Sequence, residues 1–179
     1  MSFWRYGNRV HGIASSELAI ERAVTGFAER QAAAGTPVAA DVEVVGEPVA
    51  VAEAVETAVL RAVQASLANV GAHAGAHRAR VTLGYLGDEL TVDVADDGAG
   101  FDPAVVAARP RAGAAGADPG AGTGVGLASV RERLAAVGGE ATVESAPGEG
   151  TVVALRVPLA AAGAGRSADP EQTESEETA

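Results

Sequence analysis

An α+β two-layer sandwich, with a mixed, largely antiparallel sheet covered on one face by helices, is the fold class that this 179-residue sequence predicts. Three observations carry that expectation. Long stretches repeat apolar residues at helical spacing, short runs alternate apolar and polar residues, and the order is helix, strand, helix, two strands, loop, helix, two strands. The length suits one domain with a tail and is enough to bury a core.

Residues 1–14 have no clear period and are expected to be irregular. Phe3, Trp4 and Tyr6 gather there, which suits either a docking segment or a ragged start. Ser15 or Ser16 can cap a helix with Ile20, Val24, Phe27 and Ala28 on one side, ending near Gly35. Pro37 opens the alternating run 38–44, a half-buried strand that Gly46-Glu47-Pro48 breaks. From about 51 to 72, Val55, Val59, Val63, Leu67 and Val70 form one stripe, which predicts the longest helix of the chain. Asn69 lies at the edge of that stripe, in line with Ala65 one turn earlier. The runs 80–85 and 90–94 are joined around Gly87-Asp88, a hairpin dipeptide.

Pro103 to Ala108 predicts a short helix, and the Ala, Gly and Pro residues of 109–121 predict a mobile loop. Leu127, Val130, Leu134 and Val137 mark the buried side of the next helix, stopped by Gly138-Gly139. The runs 141–145 and 152–157 flank the turn Pro147-Gly148-Glu149-Gly150, and 160–179 reads as a disordered acidic tail. The expected domain is therefore 15–159.

There is no cysteine, so disulfides, thiolate metal sites and thiol nucleophiles are excluded. The formal charge of -11 argues against a nucleic-acid surface, although Asp169, Glu171, Glu174, Glu176 and Glu177 supply part of it from the tail. No apolar run approaches the roughly 18 residues of a membrane span. The expectation is a cytoplasmic chain.

Chemistry concentrates at Asp96-Asp97-Gly98-Ala99-Gly100-Phe101-Asp102, which follows directly on an alternating run. Two carboxylates and two glycines where a strand stops make a place for a ligand. A carboxylate at Asp96 can accept a hydrogen bond from the exocyclic amine of adenine, whereas guanine presents a carbonyl there; the other reading is a solvated acidic turn. The glycines of Gly122-Thr123-Gly124-Val125-Gly126-Leu127 let backbone N–H groups converge at a helix N-terminus, which suits a phosphate, or else form a hinge. The run lacks the Gly-Lys-Ser/Thr ending of a P-loop. Asn69 can offer an amide oxygen to Mg²⁺ or sit as an ordinary helix-surface residue.

In order, these stretches resemble the ATP-binding domain of the GHKL superfamily (the Bergerat fold of gyrase, heat-shock chaperone, histidine kinase and mismatch-repair ATPases) over roughly Pro37 to Pro158. Asn69 to Ala74 looks like the asparagine box, Asp96 to Asp102 like the first glycine box and Gly122 to Leu127 like the second. The continuation Ser129 to Leu134, Gly138-Gly139 and Ser145 to Thr151 is most similar to bacterial sensor histidine kinases that partner DNA-binding response regulators. The resemblance implies ATP and Mg²⁺ as cofactors, with Asn69 holding the metal and Asp96 binding adenine N6. Gly98 and Gly100 would shape the pocket, about 102–121 would be the lid, and Gly124 and Gly126 would approach the phosphates. His73, Phe101, Thr123, Val125 and Leu127 belong to the same boxes.

The sequence departs from the family pattern on its catalytic side. The usual glutamate four residues before the asparagine is Ala65, and the basic residue before the box histidine is Ala72. His11 is the sole upstream histidine and lacks the acidic neighbour of a phosphoacceptor; His73 and His77 suit packing or the pocket rim. The resemblance thus implies a kinase-type ATPase domain acting on a response regulator, or on a kinase dimerisation domain supplied in trans. The alternative is a weakened or inactive nucleotide-binding module that regulates by protein interaction.

Overall fold

The computed structural model describes residues 15–107 and 125–159. The expectations for 1–14, for most of the lid and for the tail lie outside those residues. The elements are α1 (Ser15–Ala33), β1 (Ala39–Val45), α2 (Glu53–Asn69), a π-helical turn (Val70–Ala74), β2 (Arg78–Leu86), β3 (Glu89–Asp96), α3 (Pro103–Ala107), α4 (Val125–Ala135), β4 (Glu140–Ser145) and β5 (Thr151–Pro158). The five strands form one sheet in the order β1-β2-β3-β5-β4. Only β1 and β2 are parallel within it, and the remaining neighbours are antiparallel.

Alternation along each strand decides which residues meet the helices. Val81 and Leu83 of β2, Leu90, Val92 and Val94 of β3, and Val153, Leu155 and Val157 of β5 are buried. They form one core with Ile20, Val24 and Phe27 of α1, Val59, Val63 and Leu67 of α2, and Val130 and Leu134 of α4. Alternate positions form the open face, where Arg80 pairs with Asp41 at 2.8 Å and Glu43 at 3.3 Å across the parallel register. Those exposed pairs add little stability.

The helix expected over 51–72 differs in two respects. It begins at Glu53, after the extended Ala52, and its α-helical hydrogen bonding stops at Asn69, so α1 with 19 residues is longer than α2 with 17. The chain then widens into the π turn and leaves it through Gly75 at φ 58°, in the left-handed region. Gly71 allows this turn to rest on α1: a Cβ there would stand 3.2 Å from Phe27 Cε2. No helix among the described residues is long and apolar enough to cross a membrane.

Glu17 is an unexpected member of the interior, at 7% exposure. The Tyr85 hydroxyl bonds its carboxyl group, while among the described residues Oε1 has no hydrogen-bond partner. Burial pushes its pKa above the ordinary glutamate value, against the Tyr85 bond and with help from Glu21. A folded-state pKa above the unfolded one contributes stability that is complete at acidic pH and lost as pH rises through the folded value. Glu17→Gln should therefore stabilise the chain at neutral pH by about 1 kcal/mol, with the gain shrinking as pH falls. Urea midpoints across that pH range check it.

Candidate nucleotide-binding site

Strand parity separates the two adjacent acids. Asp96 continues the inward series Val92 and Val94, pairs with Ala79 on β2 and Thr151 on β5, and is half-buried. Its Oδ1 accepts the Gly98 N–H at 2.9 Å, and the Thr151 N–H also bonds the carboxylate. Burial raises its pKa, Asp97 adds to the rise, and the two N–H groups oppose it. A carboxylate has about four lone-pair sites, so acceptor capacity remains for a ligand. Asp97 is exposed and instead caps the start of β2, where its Oδ1 accepts the His77 and Arg78 N–H groups, each at 2.8 Å. Those bonds, led by that of Arg78, hold its pKa below the ordinary aspartate value.

The loop after Asp96 is tied on both sides. The Ala99 N–H donates to Ala74 O at 2.7 Å, fastening it to the end of the π turn, and Ala99 O accepts the Gly148 N–H at 2.6 Å from the β4–β5 turn. Gly98 packs so closely that a Cβ would come within 2.6 Å of the Ala74 Cβ. The Phe101 N–H donates to Ser145 Oγ at 2.9 Å. Asp102 Oδ1 accepts the Ala104 N–H at 2.8 Å and starts α3.

Asn69 is half-buried at the last α-helical position of α2. The first turn of α4 crosses it: a Cβ on Gly126 would stand 3.4 Å from both Oδ1 and Nδ2. Leu127 is half-buried beside the core. Stretches far apart in sequence, around Asn69, Asp96 and Gly126, thus meet around the π turn and the start of α4. Gly122, Thr123, Gly124 and the side chain of Val125 lie outside the described residues. His73 and His77 are exposed, so neither packs in the core; the π turn that carries His73 faces the surface there.

Ser145 and Thr151, marked in the sequence only as the ends of a stretch similar to sensor histidine kinases, join the site as well. Their signal was present: each is a polar residue at an inward position of an alternating strand, one on either side of a glycine turn.

The arrangement fits an adenine nucleotide. Asp96 keeps acceptor capacity for an amine, Gly98 and Gly100 keep the adjoining backbone close, and the α4 N-terminus beside Asn69 favours negative charge. Among the described residues no group of three or more His, Asp or Glu could hold a metal ion. A Mg²⁺ would therefore rest on Asn69 Oδ1, phosphate oxygens and water, which suits its preference for few protein ligands. A hollow of roughly 500 Å³ is bordered by Ala39, Asp41, Arg78, Arg80 and Ala95 of the sheet and by Asp96, Asp97 and Glu149, so it adjoins the site at Asp96.

Comparison with known proteins follows the same geometry. A family model described as histidine kinase-, DNA gyrase B- and HSP90-like ATPase matches residues 51–161. An uncharacterized sensor-like histidine kinase of Chloroflexus aurantiacus is 36% identical over 107 residues, covering 59% of this chain and 16% of that protein. The sensor histidine kinase LiaS of Bacillus subtilis is 33% identical over 119 residues, covering 66% of this chain and 29% of its own length. The chain therefore spans less than a third of either relative.

Solved structures share the fold. The Acinetobacter baumannii histidine kinase AdeS superposes with a TM-score of 0.62 at 15% identity, over 85% of this chain and 69% of its own. The catalytic domain of histidine kinase ThkA gives 0.60 at 18% identity, over 80% and 91% respectively. With more than half of its length matched, the chain belongs to the histidine kinase-, DNA gyrase B- and HSP90-like ATPase family, the GHKL ATPases.

Proposed function

We propose that residues 15–159 form the Mg·ATP-binding catalytic domain of a histidine-kinase-like signalling protein, which transfers the γ-phosphoryl group of ATP to a side chain of a partner. The observation that carries this reading is the convergence of the asparagine box, the Asp96 loop and the α4 N-terminus, with Asn69 and Gly126 in near contact. Asp96 selects the base, Gly98 and Gly100 hold the pocket wall close, and Asn69 with the α4 N-terminus holds the phosphate end. When bound, ATP supplies the phosphoryl group and Mg²⁺ neutralises its charge; the chain positions both. The partner is a response regulator or a kinase dimerisation domain, and the setting is cytoplasmic two-component signalling.

Ala65 and Ala72 favour a second reading. Ala65 is half-buried one turn before Asn69, where a methyl group can neither polarise an attacking group nor order water, and Ala72 offers no charge to a phosphate. On this reading the domain binds ATP and regulates a kinase or response regulator without transfer. Incubation with γ-labelled ATP and candidate response regulators separates the two. Label on the partner from the native chain excludes the binding-only reading, and none under any condition excludes the kinase. Because general acid–base groups contribute about 10²-fold or more, Ala65→Glu should raise the rate of label transfer by about tenfold or more in a chain that retains transfer.

A further inference from the structure

We propose that Ser145, at the end of β4, is a positioning residue that sets the selectivity of the site for adenine over guanine; this rests on the nucleotide-binding reading above. Ser145 Oγ lies 2.9 Å from the Phe101 nitrogen, 2.8 Å from Gly150 O and 3.1 Å from Thr151 Oγ1. A serine hydroxyl has one donor and two acceptor positions. Donating to Gly150 O while accepting the Phe101 N–H and the Thr151 O–H uses all of them, so the half-buried hydroxyl is saturated by these three partners.

The bonds close a ring around the base-selecting carboxylate. On one side, the chain runs from Asp96 through Gly98 and Gly100 to Phe101, whose N–H ends on Ser145. On the other, Gly150 and Thr151 follow the glycine turn: the Gly150 Cα packs against Asp96 O, and the Thr151 N–H bonds the Asp96 carboxylate. The Ser145 hydroxyl is the link between the two sides, on β4 and 44 residues in sequence from Phe101 in the loop after β3. Without it, the loop that fixes the carboxylate's direction loses its tie at Phe101 and is held only nearer its start, at Asp97 and Ala99. Direction is what separates a base with an amine from one with a carbonyl, because hydrogen bonds weaken steeply away from linearity. Alanine at 145 removes all three bonds, and threonine keeps the hydroxyl.

The test measures ATP and GTP affinities of the full chain by titration calorimetry for the native protein, Ser145→Ala and Ser145→Thr. The native chain should prefer ATP. Ser145→Ala should lose about fivefold in ATP affinity with GTP affinity little changed, so the ratio falls, and Ser145→Thr should restore it. A merely structural serine would change thermal stability and leave the ratio alone; an unchanged ratio in a folded Ser145→Ala chain overturns the proposal. Amide hydrogen exchange in the native chain provides a second arm that needs no variant. The Phe101 amide should exchange slowly before nucleotide is added, and exchange at the rate of an open loop also overturns it. A native chain that binds neither nucleotide overturns the nucleotide-binding reading itself, whereas ATP binding with an unmoved ratio defeats the Ser145 assignment alone.

Discussion

Asp96→Asn should lower ATP affinity by about a hundredfold, the largest loss expected of any single substitution in the site. Oδ1 of the carboxylate is already engaged by the Gly98 N–H. In the asparagine variant that donor holds the amide oxygen, which turns the amide NH₂ toward the base. A donor then faces the adenine amine, and two donors cannot bond. Guanine, with its carbonyl at that place, is penalised far less, so the loss should be specific to ATP. Calorimetric titration with both nucleotides measures it, and unchanged ATP affinity would overturn the adenine assignment. The same carboxylate predicts a pH dependence. Burial raises the Asp96 pKa, so ATP affinity should fall as pH drops through a value above the ordinary aspartate range, and the asparagine variant should lack that fall.

The second large effect is on stability. Gly100 has φ 58°, and a Cβ there would overlap Ala146 O and stand 2.8 Å from Gly150 O. Gly100→Ala meets both the cost of the left-handed conformation, roughly 1 kcal/mol, and a clash with main-chain atoms that cannot rotate away. Destabilisation of about 3 kcal/mol is expected. Gly148 provides the internal control: its φ is 85°, yet a Cβ would meet nothing within 4 Å. Gly148→Ala should therefore carry the conformational cost alone, about 1 kcal/mol. Equal urea midpoints for the two variants would show that the close approach at Gly100 is relieved by loop movement.

Much of the fold was legible because alternation and helical period report directly on which side chains face a core. Val92, Val94 and then Asp96 fall on one side of β3, so the sequence already separated Asp96 from Asp97. The end of α2 was not legible in this way. Gly71 and Ala72 have little side chain to show a period, and the turn widens because of what it rests on, Phe27 in another helix. The capping of the His77 and Arg78 amides by Asp97 was missed for a related reason: its partners stand at the start of another strand, β2. The bonding role of Ser145 was not legible because its partners come from separate segments. Of the glycine run that carried the phosphate expectation, only Gly126 and Leu127 are described with their side-chain surroundings, and Gly126 lies beside the Asn69 amide.

The boundary of similarity and the boundary of the folded unit do not coincide. The family match begins at residue 51, yet Ile20, Val24 and Phe27 of α1 fill the core, β1 provides the parallel edge of the sheet, and Gly71 is seated on Phe27. A fragment cut at the start of the match would leave the β2 edge unpaired and one side of the α2 helix facing water. The π turn, to which the Ala99 loop is fastened through Ala74, would lose its seat on Phe27. Cohesion of that end of the fold thus depends on an ancillary layer contributed by residues 15–50, which lie outside the family match.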